Sequence, residues 1–342
     1  SGALILGGLY AADAFVASCG VVGLFGATAT AVLLRLDLQA TCSGLFGYNG
    51  LLVGLGLATF LVGEQWCLLV LSLVLGALST VLQQSLGNAL VPTFKCPPFT
   101  LAFNVTLVLF VAASYKLGRF HPAPFLAPAL GADAPLAQDS APDGAAAIGW
   151  ALHAALVSVG QIFLCNSAVT GALIVGGMAV ASRVAAAVAY LGALGGVALA
   201  VGLGAAHAEV AAGLWGYNAS LGATAVFTFF YPNGLCCVFA AVAVALSVVL
   251  DGFFKASFAP LGVPTGTLPF CFAAIAVVLT HGQVPGLAPV AISDVASPED
   301  HLYSARAART DRPDDDDEAP STTRTDPNKL EAITIEQPAH PA

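Results

Sequence analysis

Uncharged hydrogen-bonding residues recur in two short motifs of this sequence. A Gly-Tyr-Asn tripeptide ends the segment Gly44–Asn49 and recurs at the end of Gly213–Asn218, while Thr-Leu-x-Phe occurs at Thr100–Phe103 and at Thr267–Phe270. Hydroxyl and amide groups of this kind donate and accept hydrogen bonds without carrying a charge. Within an apolar chain, they could replace the water around a small, neutral, polar solute.

Catalytic and metal-binding patterns are not found in the apolar part of the sequence. The eight cysteines are scattered without a CxxC pair at metal spacing, and the six histidines do not cluster with them. An intramembrane enzyme would need a paired Asp, a Ser/His set or a His/Glu metal site. The few acidic residues near the apolar segments fall at the segment edges: Asp13, Glu64, Glu209 and Asp251. We therefore expect a protein that is not an enzyme and that holds no cofactor and no metal.

The charge content points to a membrane protein. Of the 342 residues, 58% are hydrophobic and only 9% are charged, and the mean hydropathy is +0.85, whereas a soluble domain carries about 25% charged residues. Residues 284–342 hold 12 of the 20 acidic and 5 of the 11 basic residues, so the first 283 residues have a net charge of −2 (6 − 8). This distribution excludes a nucleic-acid-binding protein, which needs a basic patch. It makes the lipid bilayer the principal partner of the chain up to about residue 283.

The membrane segments are predicted from the stretches between charges. Each stretch is long enough to cross a bilayer as a helix, and the longest can hold more than one crossing. About nine or ten membrane segments are therefore expected, in an all-α polytopic membrane protein. The charge-free stretches are Ala14–Leu34, Leu38–Gly63, Gln65–Phe94, Cys96–Tyr115, Gly144–Ser182, Val184–Ala208, Val210–Leu250 and Ala256–Ser293.

Two polar stretches interrupt this pattern. Residues 118–144 are rich in Pro, Ala and Asp and are predicted to form a loop outside the bilayer. Residues 284–342 contain the acidic run Asp314–Glu318 and are predicted to form a disordered acidic tail. The tail could be a regulatory or interaction segment, or a solvated end without a specific partner.

The apolar part of the chain contains an internal repeat. Ser1–Leu9 resembles Thr170–Met178 at an offset of 169, and the Gly-Tyr-Asn motifs keep the same offset (218 − 49 = 169). The threonine motifs follow at 267 − 100 = 167. Two halves are thus predicted, at residues 1–117 and 145–283. Such a membrane protein is typically a transporter or channel whose path lies at the repeat interface.

The repeated motifs are unusual for membrane helices. Pro97–Pro98 and Pro264 precede the two threonines, so a helix cannot run smoothly through these places. Irregular backbone at membrane depth is tolerated where it is buried in protein or lines a cavity. We expect re-entrant half-helices that face a pore. The alternative is that the small and polar residues only pack helices together.

With these motifs the chain resembles the urea transporter family over nearly all of residues 1–283. The resemblance rests on five segments in the same order and spacing: Gly47–Gly54, Phe99–Asn104, Val159–Ser167, Gly213–Leu221 and Gly266–Cys271. It implies two inverted halves with five spanning helices each, re-entrant pore helices and a homotrimer with one pore per subunit. It also implies transport of urea down its gradient without ion coupling, in an integral membrane protein of the cell membrane.

The resemblance also assigns the pore residues. It implies that Thr100 and Thr267 are the paired central threonines. The apolar slot walls would be formed by two residues from each half, namely Tyr48, Leu52, Tyr217 and Leu221. The mouth motif of the second half would be Gln161, Ile162 and Phe163.

The sequence departs from the family pattern at three places. Leu164 stands where an aromatic residue often occurs, and Ala102 stands where the second half has Pro269. The sequence starts at Ser1, which aligns with Thr170, so we expect the first repeat to lack its N-terminal helix here and to leave nine spanning helices with a gap beside Ser1–Tyr10.

Urea fits these residues chemically. It is small, flat and neutral, with four N–H donors and one carbonyl acceptor, and burying such groups unpaired costs several kcal/mol each. Thr hydroxyls and free carbonyls supply acceptors. We therefore expect Thr100 and Thr267 to meet mid-membrane on opposite walls of one pore. The alternative is a channel for another small polar solute such as ammonia or an amide, although an ammonium channel would be expected to carry a His pair, and His153 and His207 do not match in offset.

Overall fold

The computed structural model describes residues 1–129, 144–280 and 282–310. Within these residues the chain is almost entirely helical. The helices of the first half are α1 Gly2–Ala12, α2 Ala14–Leu33, α3 Leu38–Cys42, α4 Gly47–Phe60, α5 Gln65–Phe94 and α6 Leu101–Ser114. The later helices are α7 Ala145–Gln161, α8 Ala168–Ala181, α9 Arg183–Gly202, α10 His207–Ala211, α11 Tyr217–Phe229, α12 Gly234–Phe258, α13 Leu268–Val278 and α14 Pro298–Thr310.

The order of the helices in the first part of the chain corresponds to their order in the second part. Helices α1 to α6 correspond one by one to α8 to α13, and both ends of α2 precede those of α9 by 169 residues (183 − 14 and 202 − 33). The short strands β1 Leu61–Val62 and β2 His121–Pro122 pair in an antiparallel manner. The second half repeats this contact as a single bridge between Phe230 and Pro289. The repeat therefore extends from helix order down to strand pairing.

Within the described residues, four helices, α2, α5, α9 and α12, are long enough and apolar enough to cross a membrane. Six further apolar helices have 10–17 residues: α1, α4, α6, α7, α8 and α13. The charge-free run Gln65–Phe94 coincides with α5, whereas α12 continues past the predicted end at Leu250 and contains Asp251 and Lys255. The long runs are cut at polar positions, because Ser167 caps the N-terminus of α8 and separates it from α7.

The outer faces of the long helices remain apolar. Of the residues in the most apolar 18-residue stretch of α5, only 33% are buried inside the protein. Large side chains such as Val70 and Val74 are more than half exposed on this helix. A water-soluble protein rarely exposes so large a continuous apolar surface, so these faces fit a lipid environment.

Glycines bring the helices of the first half into close contact. A Cβ atom at Gly54 in α4 would lie 2.1 Å from the carbonyl oxygen of Cys19 in α2, and one at Gly23 would lie 2.2 Å from the carbonyl oxygen of Gly50. No side chain fits at these distances. The close crossing of α2 and α4 positions the start of α4, where the Gly-Tyr-Asn motif lies.

The segment after residue 284 differs from the sequence prediction of a disordered tail that begins there. Pro289 forms the bridge to Phe230, and the polar helix α14 follows. Glu299 in α14 accepts hydrogen bonds from Ser182 and from the backbone amide of Val184, at the start of α9. The segment is ordered because it contacts residues more than 100 positions away. The acidic run Asp314–Glu318 lies outside the described residues.

The predicted polar loop at residues 118–144 is also partly structured. His121–Pro122 pairs with β1, and a single 3-10 turn follows at Pro124–Leu126. The part of this prediction that concerns residues 130–143 lies outside the described residues.

Candidate transport site

Two helix N-termini meet at a pair of threonines. Thr100 is the N-cap residue of α6, and Thr267 is the N-cap residue of α13. Their backbones have nearly the same conformation, with φ/ψ of −94°/21° and −104°/21°. Pro97 and Pro98 precede Thr100, and Pro264 precedes Thr267, so no helix runs continuously into either threonine. Pro269 fits the first turn of α13, where a proline costs no hydrogen bond.

The two threonine hydroxyls lie in contact. Thr100 Oγ1 and Thr267 Oγ1 are 2.6 Å apart, and both residues are buried. The expected approach of the two residues is therefore present in the structure. At this distance a solute cannot pass between them, so the expectation of hydroxyls on opposite walls changes. They form one polar patch in the lining, because a direct hydrogen bond satisfies both groups in an apolar cavity.

Thr100 and Thr267, the threonine patch, line a cavity of about 280 Å³. Seven of the nine residues that the sequence assigned to the pore line it: Tyr48, Leu52, Thr100, Ile162, Phe163, Leu221 and Thr267. The lining comes from both halves of the chain. The sequence assignments thus converge on one cavity between the halves.

Tyr217 and Gln161 are placed differently. Among the described residues, neither lines this cavity. The Tyr217 hydroxyl donates to the carbonyl oxygen of Gly266 at 2.6 Å, and the Gln161 amide donates to the carbonyl oxygen of Ala212 at 2.8 Å. Tyr217 therefore holds the backbone directly before Thr267, and Gln161 holds the backbone of Ala212 just after α10.

Two aromatic residues in the lining were missed from the sequence. Phe99 and Phe270 pack edge to face, with ring centroids 5.3 Å apart. Phe99 directly precedes Thr100, and Phe270 ends the second threonine motif. Their positions next to repeated motifs could have indicated them.

The backbone before each threonine has an unusual conformation. Phe99 has φ of 49°, and its equivalent Gly266 has φ of 53°. Glycine adopts this region freely, whereas a bulky residue does so under strain. Tyr48 donates a hydrogen bond to the Phe99 carbonyl, just as Tyr217 does to Gly266. These equivalent tyrosine contacts fix the backbone that places the threonines.

The asparagines of the Gly-Tyr-Asn motifs hold the first turns of the two short helices. Asn49 Oδ1 accepts from the backbone amide of Phe103 at 3.1 Å, and its amide nitrogen donates to Gln83 at 3.0 Å. In the second half, Asn218 Oδ1 accepts from the amide of Phe270 at 3.3 Å, and its nitrogen donates to Asp251 at 3.2 Å. Each motif therefore ties a short helix, α6 or α13, to a long helix of the same half.

The partners of the two asparagines differ in chemistry. Gln83 and Asp251 are both buried, at 3% and 0% exposure. Asp251 was expected at the edge of a segment, and it instead lies inside the protein on α12. One of its carboxyl oxygens, Oδ2, has no hydrogen-bond partner among the described residues. The second half thus holds a buried acid where the first half holds an amide.

The architecture and the site define the class of protein. An internally repeated helical membrane protein has a cavity lined by residues of both halves, and two hydrogen-bonded threonines are part of that lining. The chain belongs to the urea transporter family, whose family model matches residues 1–282.

Relatives in mammals support this membership. Urea transporter 1 of Ovis aries is 30% identical over 314 residues, which cover 91% of this chain and 80% of the sheep protein. Urea transporter 1 of Rattus norvegicus is 30% identical over 310 residues, covering 88% of this chain and 77% of the rat protein.

Proposed function

We propose that this chain carries urea across a membrane, down its concentration gradient, through the cavity between its two halves. The observation that carries this proposal is the pair of threonine hydroxyls at the meeting point of two helix N-termini, inside an otherwise apolar slot. Family membership makes urea the expected solute.

The slot suits a flat molecule rich in N–H groups. Urea entering it loses water, and an unpaired N–H group in an apolar medium costs several kcal/mol. Thr100 and Thr267 offer hydroxyl oxygens to these donors. Phe99, Phe270 and Leu52 flank the patch with flat or branched apolar surfaces that pass a planar solute and exclude a hydrated ion.

The lining offers no fixed charge for an ion. Among the nine described residues that line the cavity, only Tyr48 carries a titratable group, and its hydroxyl donates to the Phe99 carbonyl. A coupled transporter needs a site that binds the driving ion, typically with carboxylates or several free carbonyls. The proposed transport is therefore passive and channel-like.

The repeat supports a more detailed architecture. We infer that the halves, residues 1–117 and 145–283, are inverted relative to each other, and that α4, α6, α11 and α13 are re-entrant pore helices. These helices have 11 to 14 residues, so at 1.5 Å per residue they extend about 17–21 Å, less than the ~30 Å hydrocarbon core. In this proposal the threonine pair lies mid-membrane, the subunits form a homotrimer, and the protein resides in the cell membrane.

The proposal is tested by urea flux into proteoliposomes that contain the full chain. We expect flux well above that of protein-free liposomes, proportional to the urea gradient and indifferent to imposed sodium or proton gradients. Flux equal to that of empty liposomes would contradict the function. Flux that requires an ion gradient would contradict the passive mechanism.

A further inference from the structure

The two halves differ beside the threonine pair. Asn104 in α6 and Cys271 in α13 occupy equivalent positions (271 − 104 = 167), and each touches the threonines. An amide carries two strong donors, whereas a thiol is a weak donor and a weak acceptor. The hydroxyl pair is therefore flanked by unlike groups.

Asn104 uses all of its donors and one acceptor here. Its amide nitrogen donates to the Thr100 carbonyl and to Thr267 Oγ1, each at 2.9 Å. Its Oδ1 accepts from the backbone amide of Thr267 at 2.8 Å. The amide orientation is fixed by these contacts, so Thr267 Oγ1 must accept a hydrogen bond from Asn104.

Cys271 contacts the hydroxyl of Thr100, the other member of the pair. Its sulfur lies 3.1 Å from Thr100 Oγ1 and 3.6 Å from the amide nitrogen of Asn104, which donates to it. The sulfur thus faces two groups that can donate a proton to it, the hydroxyl of Thr100 and the amide of Asn104. It serves mainly as an acceptor in this position.

Only one direction of the chain pairs every hydroxyl proton. If Asn104 donates to Thr267, Thr267 to Thr100 and Thr100 to Cys271, both hydroxyl protons are used and each oxygen keeps one free lone pair. In the opposite direction, Thr267 accepts twice and its own proton has no partner in an apolar cavity, which is costly.

We propose that Asn104 and Cys271 are positioning residues that fix the direction of the threonine hydrogen bonds, so that the slot centre offers two acceptors and no donor. This inference rests on the proposed function and adds its basis for selectivity. Such a centre accepts hydrogen bonds from the N–H groups of a solute but donates none to its carbonyl oxygen.

Urea and acetamide separate these two kinds of recognition. They have nearly the same size and planar shape and share the carbonyl, but acetamide has a methyl group in place of one amino group. A centre that only accepts favours urea. A centre that also donates a hydrogen bond can bind the carbonyl oxygen that both solutes share. Its preference for urea is therefore weaker.

The experiment compares the ratio of urea to acetamide flux in proteoliposomes. In Cys271→Ala the chain loses its final acceptor and the Thr100 proton becomes free to point into the slot, so we expect the ratio to fall about five-fold, the effect of one neutral hydrogen bond. Cys271→Ser restores an acceptor that can pass its own proton to its helix backbone, and should retain the wild-type ratio. Cys19→Ala, which removes another buried thiol, is the matched control and should also retain it.

An exchange of the two residues gives a second, independent test. Cys271→Asn places amide donors at both ends and leaves one hydroxyl proton without an acceptor, so the ratio should fall. Adding Asn104→Cys reverses the whole chain and should restore it. A ratio that is the same in wild type and Cys271→Ala, or that falls equally in Cys271→Ser, would overturn the inference. Absence of wild-type urea flux would instead defeat the proposed function.

Discussion

Glu299 Oε2 lies 2.5 Å from Ser182 Oγ, although 117 residues separate them in the sequence. Glu299 also accepts from the amide of Val184 at 2.9 Å, so its carboxylate caps the N-terminus of α9. In the first half, the residue equivalent to Ser182 is Asp13 (182 − 13 = 169). Asp13 caps α2 with its own side chain. Both repeats thus have a negative charge at this helix start, where the helix dipole favours one.

Glu299→Gln is expected to lower the melting temperature at neutral pH and to lose this effect in acid. Partial burial alone would raise the pKa of Glu299, but hydrogen bonds from Ser182 and Val184 outweigh it and lower the pKa below its ordinary value. A lowered folded-state pKa stabilises the protein fully above the unfolded pKa of about 4.3, and this stabilisation is lost as the pH falls through the folded value.

The measurement is thermal unfolding of detergent-solubilised protein from pH 8 to pH 3.5. The gap between wild type and Glu299→Gln should be constant above about pH 5 and should narrow as the pH falls below about 4. Glu318→Gln, in the acidic run, serves as the control and should match wild type throughout. A gap that persists unchanged at pH 3.5 would show that the carboxylate charge is not responsible.

Docking of α14 should also weaken as His301 becomes protonated. His301 is buried at 3% exposure, and its Nε2 accepts from the amide of Ala296 at 2.9 Å, which requires the neutral ring. Burial lowers the pKa of His301. Its stabilising contribution is therefore complete above the ordinary pKa of about 6.5 and is lost as the pH falls from there through the folded value.

Hydrogen exchange reports this docking directly. Amides in residues 296–304, corrected for the intrinsic pH dependence of exchange, should be more protected at pH 7.5 than at pH 5. In His301→Gln, which cannot gain this charge, the corrected protection should not change with pH over that range. Equal pH dependence in both proteins would count against His301.

Gly54→Ala is expected to destabilise the first half strongly. The added Cβ would lie 2.1 Å from the Cys19 carbonyl oxygen, so α2 and α4 must separate. Overpacking of this kind costs about 1–3 kcal/mol or more. Gly87→Ala in α5, where nothing lies within 4 Å, should instead be neutral or slightly stabilising. Comparable melting temperatures for the two variants would contradict the close packing of α2 and α4.

Asn218→Ala should be more harmful than Asn49→Ala. Both variants leave a backbone amide of a short helix unpaired. Each also removes the hydrogen bond to a buried side chain, which is the neutral amide of Gln83 for Asn49→Ala and the carboxyl of Asp251 for Asn218→Ala. An unpaired buried amide costs about 1–3 kcal/mol, and an acidic group costs more. Adding Asp251→Leu to Asn218→Ala should recover part of the loss. Unfolding measurements that show additive losses would reject this coupling.

The sequence predicts much of the scaffold because charge and proline punctuate it. The charge-free run Gln65–Phe94 has the same bounds as α5. The repeated threonine motifs predict that Thr100 and Thr267 approach each other, and their hydroxyls are in contact. Repeated motifs carry this information because several equivalent residues make equivalent contacts in both halves, as Tyr48 and Tyr217 do with the backbone before each threonine.

The remaining features depend on tertiary contacts that no local pattern encodes. Tyr217 matches Tyr48 in sequence but does not line the described cavity, and Phe99 takes a left-handed conformation that a glycine has in the other half. The order of α14 depends on Ser182, 117 residues away from Glu299. Such outcomes follow from packing across the chain rather than from composition.

The most direct test of the central claim is urea flux through variants of the threonine pair. Thr100→Val and Thr267→Val keep the side-chain shape and remove one hydroxyl acceptor each, so each should raise the barrier by about 1–3 kcal/mol, a loss of about 5- to 150-fold in urea flux per folded protein. Thr106→Val is the matched control, because within the described part of the chain its buried hydroxyl donates only to the Ala102 carbonyl of its own helix, and it should conduct like wild type. Wild-type urea flux in both Thr100→Val and Thr267→Val would contradict transport past this pair.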